Sequence, residues 1–152
     1  MILTNVADMR KITGILLLIA VMSACQQAAD YKTVRDEVMT FHDVVMADHG
    51  IIVGNQMRID TLLSDLQGLK MRFPDADTIK EQASMQQIKK ELGGLEDSMN
   101  NWMHQFEPDV TGKTNEEAIK YFEDEKKKIK AIDSLYKLHI ELSNAYLTKF
   151  KK

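Results

Sequence analysis

Cysteine occurs once in this chain, at position 25. That excludes a disulfide within the chain and a cysteine-rich metal centre. Proline stands only at 74 and 108, so the long stretches between are free of the residue that most strongly breaks helices. Gly-x-Ser-x-Gly, the phosphate-binding loop and His-Glu-x-x-His are all missing. With them go the common signatures of serine hydrolases, nucleotide enzymes and zinc peptidases. Charge of one sign is not in excess: the chain carries a net −3, without the basic footprint of a nucleic-acid binder. A long hydrophobic run is lacking too. The most apolar stretch, 12–22, falls short of the ~20 residues that a membrane-spanning helix needs.

What that stretch does have is context. Arg10 and Lys11 precede it, and Ser23-Ala24-Cys25 follows. A positive head, a short apolar segment and small residues at a cut site make a secretory signal. Small-small-Cys is the end of a bacterial lipobox, with Met22 where Leu is usual. The expectation is that residues 1–24 are a lipoprotein signal peptide and that Cys25 is acylated as the first mature residue. Residues 1–8 add nothing to this signal, and Met9 is an alternative start. Removing 1–24 takes away Arg10, Lys11 and Asp8 and leaves 128 residues of net charge −4. That size suits one domain with a real core. Residues 26–30 are too short and too varied to be a long linker, so the lipidated Cys25 and a tether fill 25–30 and a helical domain fills 31–152.

The domain reads as three amphipathic helices. Helix A is expected over 31–73. Its seam is Val34, Val38, Phe41, Val45, Ile52, Ile59, Leu62, Leu66, Leu69 and Phe73, a sustained heptad interrupted by Asp48 and Asn55. Gly50 and Gly54 each weaken a helix by ~1 kcal/mol relative to Ala, but the seam keeps its register across both. Helix B is expected over 78–106, with Thr78 and Glu81 in capping-box spacing. Its seam is Met85, Ile88, Leu92, Leu95, Met99, Trp102 and Phe106. Helix C is expected over 115–150, with Thr114 and Glu117 in the same spacing. Its broader apolar face holds Ala118, Tyr121, Phe122, Ile129, Ile132, Leu135, Tyr136, Leu138, Leu142, Ala145 and Tyr146. Lys149, Lys151 and Lys152 stand where cations offset the helix dipole. Short connections between long helices predict an all-α fold, an up-down-up antiparallel three-helix bundle.

Phe41-His42-Asp43-Val44-Val45-Met46, Ser98-Met99-Asn100-Asn101-Trp102-Met103 and Tyr121-Phe122-Glu123-Asp124-Glu125-Lys126 together resemble small helical lipoproteins of the Bacteroidetes group. These often carry the label "viral A-type inclusion protein". The resemblance covers nearly the whole mature chain and implies a helical envelope lipoprotein; it brings no activity. Members often have a charged residue and a proline after the His-Asp motif, where this chain has Ala47-Asp48-His49-Gly50.

The acidic runs at 116–117 and 123–125 read as a solvated helix start. His139 reads as a flank residue. Trp102 reads as a core anchor whose indole N–H meets a carbonyl or an acid. Beside the seam of helix A runs a second stripe, Met39, His42, Met46, His49 and Val53. In a hairpin turning at Pro74, Met46 comes level with Met103, and His49 with the stretch from Met99 to Asn101; His104 follows. Imidazole and thioether together suit copper, and thioether favours Cu(I). Met also fills irregular core gaps without any metal.

Two functions are therefore expected. The first is a lipid-anchored cell-envelope bundle acting as a structural or protein-interaction module. It would sit in the outer membrane facing the periplasm and hold an envelope protein as partner. The alternative is a periplasmic soft-metal protein using His42, Met46, His49, Met99 and Met103. No catalytic residue, no other cofactor and no nucleic-acid partner is expected.

Overall fold

The computed structural model describes residues 30–151, which form four helices and no strand. The stretches expected to be a signal peptide (1–24) and a tether (25–30), Cys25 included, lie outside the described residues except for Asp30. The four helices are α1 (Tyr31–Ser64), α2 (Leu66–Arg72), α3 (Thr78–Gln105) and α4 (Asn115–Thr148).

α1 begins at Asp30, whose side chain accepts from the Lys32 N–H at 3.1 Å. It runs through Gly50 and Gly54 without interruption. The reason is packing. Val38, Val45, Ile52 and Ile59 recur every seventh residue and are all fully buried. Each such side chain contributes about 1.5–3 kcal/mol, which outweighs about 1 kcal/mol lost at each glycine.

The single helix expected over 31–73 is instead broken at Asp65. There the backbone leaves the helical region (φ −137°, ψ 64°). The Asp65 carboxylate turns back to accept the Gly68 N–H at 2.8 Å and so caps α2. An aspartate three residues before the N–H it accepts is a strong local competitor to continued helix. Glycine is needed opposite, because a Cβ at 68 would collide with that carboxylate.

α3 is capped by Asp77, which accepts from the Ile79 and Lys80 N–H groups at 3.1 and 3.2 Å. Thr78 is thus the first helical residue and forms no capping box with Glu81. α3 ends at Gln105, where the Phe106 N–H closes on the Trp102 carbonyl. α4 opens on a complete capping box between Thr114 and Glu117 and ends two residues before the expected 150. The connection before it turns through Gly112, which adopts a positive φ of 89° open mainly to glycine.

α1 packs most extensively on α4, and α3 packs on both. Contacts between α1 and α4 keep a nearly constant offset in residue number. They include the Tyr31 N–H to Asn115, Lys126 to Glu37, and Asn55 to Ser143. Contacts of α3 run the other way along the chain, with Trp102 bonded to Glu125 and Tyr146 to Glu81.

The buried face of α4 is narrower than expected and partly polar. Phe122, Ile129, Tyr136 and Ser143 are fully buried at heptad spacing, flanked by Ala118, Glu125, Ile132 and Tyr146. Leu135, Leu138 and Leu142, placed on the apolar face by the sequence pattern, are instead 45%, 48% and 52% exposed, and Ala145 is exposed as well. A helix packed on two neighbours along heptad lines leaves such side positions to solvent.

Candidate functional site

One end of the molecule is built from rings. Trp102 stacks on Phe106 with centroids 4.9 Å apart, and Phe106 lies 6.2 Å from Phe122 and 6.5 Å from Tyr121. Tyr31 stacks on Phe122 from α1 at 6.1 Å. Polar groups within this cluster are bonded. The Trp102 indole donates to Glu125 Oε2 at 2.9 Å, and Lys128 Nζ donates to Glu125 Oε1 at 2.7 Å. The Glu107 N–H donates to the Tyr121 hydroxyl at 2.7 Å, and burial pushes the Tyr121 phenol above its ordinary range. Glu125 is buried on a heptad position that the apolar pattern of the sequence skips. Its partner is an indole from another helix, so only the pairing of helices could reveal it.

His42 lies on this cluster, its ring 6.1 Å from that of Trp102, and its Nδ1 is 3.0 Å from Asp43 Oδ1. His49, two turns on, faces Tyr136 instead: Nδ1 is 3.4 Å from the hydroxyl, which donates to the Leu95 carbonyl at 3.5 Å. Burial, helped by the charge of Glu96, pushes the Tyr136 phenol up to about 12. The thioethers of the second stripe divide by environment. Met99 is buried in the core, whereas Met46 and Met103 are 39% and 37% exposed. Lys89 bonds Asp60 across α3 and α1, and the same stagger sets Met103 level with Met46. Among the described residues no group of three or more His, Cys, Asp or Glu is arranged to hold a metal. His104 is exposed, and His139 lies 3.5 Å from Glu91.

Further along, Asn55 is buried among apolar neighbours, its amide donating to Ser143 Oγ at 2.8 Å and to Asn144 Oδ1 at 3.0 Å. The end opposite the rings is closed by Phe73 against Phe150 and Phe150 against Tyr146, centroids 5.5 and 5.6 Å apart. Tyr146 donates to Glu81 Oε2 at 2.6 Å, and burial together with that carboxylate raises its pKa.

Two open clefts mark the two ends. One, of about 350 Å³, lies where Tyr31 and Arg35 meet the 108–113 loop; Arg35 is paired there with Asp36. The other, of about 200 Å³, is lined by Arg58, Thr61, Leu62, Arg72, Leu147 and Phe150. No sequence signal marked it, because its lining joins the 58–72 stretch to Leu147 and Phe150 far along the chain. Among the described residues no helix is long and apolar enough to cross a membrane. No family model, curated protein or solved structure matches the chain.

Proposed function

We propose that this chain is a lipid-anchored helical module of the bacterial cell envelope, held by Cys25 and facing the periplasm, which presents a surface to a protein partner. Its long helices α1, α3 and α4 form an up-down-up antiparallel bundle. The constant offset of the α1–α4 contacts and the reversed sense of the α3 contacts support that topology. At about 1.5 Å per residue, α1 and α4, 34 residues each, reach roughly 50 Å from the tether. The observation that carries the interaction reading is the leucine stripe of α4. Leu135, Leu138 and Leu142 sit at i, i+3 and i+7 and are each about half exposed, the spacing of anchors that dock one helix against another.

Two experiments test this reading. Cys25→Ala should move the protein out of the membrane fraction, because stable anchoring rests on the acyl chains; retention with membranes would remove the anchor. A photo-crosslinking residue at Leu138 should trap one discrete envelope protein, and Leu142→Glu should abolish the adduct. Labelling that is diffuse and indifferent to Leu142→Glu would remove the docking face.

A second reading, a soft-metal site, is favoured by one specific feature. Met46 and Met103 are level and half exposed, and His42 shares the face of α1 with Met46. Thioether and imidazole at an accessible groove suit Cu(I). Cu(I) should then raise the melting temperature by mass action more than Zn(II) does, and His42→Ala should cancel the effect. An equal shift in the variant would return these side chains to packing.

A further inference from the structure

The cleft opposite the ring-filled end is lined by two arginines and, among the described residues, by no carboxylate. Arg58 and Arg72 both line it. Arg72 Nε donates to the Gly68 carbonyl at 3.2 Å, which leaves its terminal nitrogens to the cleft. Among the described residues neither arginine pairs with an acid. Most acids of this end are engaged elsewhere, Asp60 with Lys89, Asp65 with the Gly68 N–H, Asp77 with the first turn of α3 and Glu81 with Tyr146, while Asp75 in the turn pairs with neither arginine. The Thr61 hydroxyl donates to the Met57 carbonyl at 2.9 Å, so donors for an anion come from the arginines. Between them the floor is apolar, made by Leu62, Leu147 and Phe150.

The three most exposed large apolar side chains among the described residues, Ile79 (81%), Met71 (72%) and Met57 (66%), belong to this half of the fold. Met57 precedes Arg58, Met71 precedes Arg72, and Ile79 lies in the first turn of α3. Exposed methionines are adaptable contacts at binding surfaces. Paired guanidiniums match the two oxygens of a carboxylate. The volume of about 200 Å³ is below the ~300–1,000 Å³ typical of small-molecule sites. It suits one apolar side chain with its carboxylate.

We propose that this cleft captures the C-terminal carboxylate of a partner polypeptide that ends in an apolar residue. Arg58 and Arg72 clasp the carboxylate, and the terminal side chain rests on Leu62, Leu147 and Phe150. This deepens the interaction reading and rests on it, but it uses a different surface from the α4 leucines.

The test uses the full chain in detergent, isotope-labelled, titrated with short peptides ending in Val, Leu, Ile, Met or Phe. Each peptide is supplied as the free acid and as the amide, with a Gly-ended acid and inorganic phosphate as controls. The free acids should shift the amide signals of Leu62, Leu147 and Phe150. The amides and the Gly-ended acid should bind about tenfold or more weakly, the size of one lost charged hydrogen bond or apolar contact. Arg58→Gln and Arg72→Gln should each reproduce that loss on the acids with the helical circular dichroism unchanged. Equal binding of acid and amide, phosphate matching the best acid, or no response to any acid overturns the cleft. The crosslinking at Leu138 would still stand after any of these, so the two readings fail separately.

Discussion

The two ends of this molecule solve the same problem differently. At the Trp102 end, five rings and a histidine fill the space between three helices, and the buried indole and carboxylate satisfy each other. At the Pro74 end, three rings close the core, and the surface around them keeps Arg58 and Arg72 free of acids while Met57, Met71 and Ile79 face solvent. The first end puts its aromatic and polar side chains to use inside the fold. The second leaves comparable groups outside it, which is why the two ends should respond differently to substitution.

The sharpest break in that comparison is Trp102→Ala. It removes a buried ring and leaves Glu125 without its indole donor, and the expected cost is about 3–5 kcal/mol. Phe150→Ala at the opposite end should cost clearly less, since that ring is only partly buried. Urea unfolding of both variants decides it, and equal losses would make the ends equivalent.

Alkaline titration should sharpen the contrast along the axis. The Tyr136 phenol is raised from 10.0 to about 12, and those of Tyr121 and Tyr146 are raised too. A raised folded pKa means the folded chain holds the proton more tightly than the unfolded one. This contribution is therefore complete below pH 10 and is lost as pH climbs toward 12. Melting temperature should fall over that window, and Tyr136→Phe should flatten the fall. An unchanged slope in Tyr136→Phe would show that the phenol ionises without strain.

Smaller effects follow. Asn55→Ala removes the donor to Ser143 and Asn144, at an expected cost of about 1–3 kcal/mol. Asp65→Ala takes the cap from α2 and should cost about 0.5–2 kcal/mol, with hydrogen exchange quickening at 66–72 and not in α4. If exchange quickened throughout, α2 would be part of the main cooperative unit.

The helical character of the chain was legible because apolar residues recur every seventh position through glycine-containing stretches. Val38, Val45, Ile52 and Ile59 stand out in the sequence as they do in the core. The capping box of Thr114 and Glu117 was legible because both halves are local. The break at Asp65 was not, since Leu66 and Leu69 continue the seam in phase and the competing bond is a side-chain turn. Asp77 likewise outcompeted Thr78 for the start of α3. Leu135, Leu138 and Leu142 read as core by hydropathy alone; which face meets a neighbour is decided by how many helices pack there. Glu125 and the arginine cleft were illegible for the same reason, as each exists only where distant segments meet.

The buried amide of Asn55 has a consequence for how the helices find their alignment. The valines and isoleucines of α1 and the large apolar residues of α4 repeat at the same interval, so sliding one helix by seven residues would still set oil against oil. Hydrophobic contact alone is nearly indifferent to that slip. Asn55 is not: displaced by one repeat, its amide would lose Ser143 and Asn144 and face Phe150 in one direction or Tyr136, whose hydroxyl already serves His49 and Leu95, in the other, at a penalty of about 1–3 kcal/mol. A single polar side chain therefore works as the index mark on an otherwise uniform ruler. It distinguishes one alignment from its seven-residue neighbours, as buried asparagines do in coiled coils.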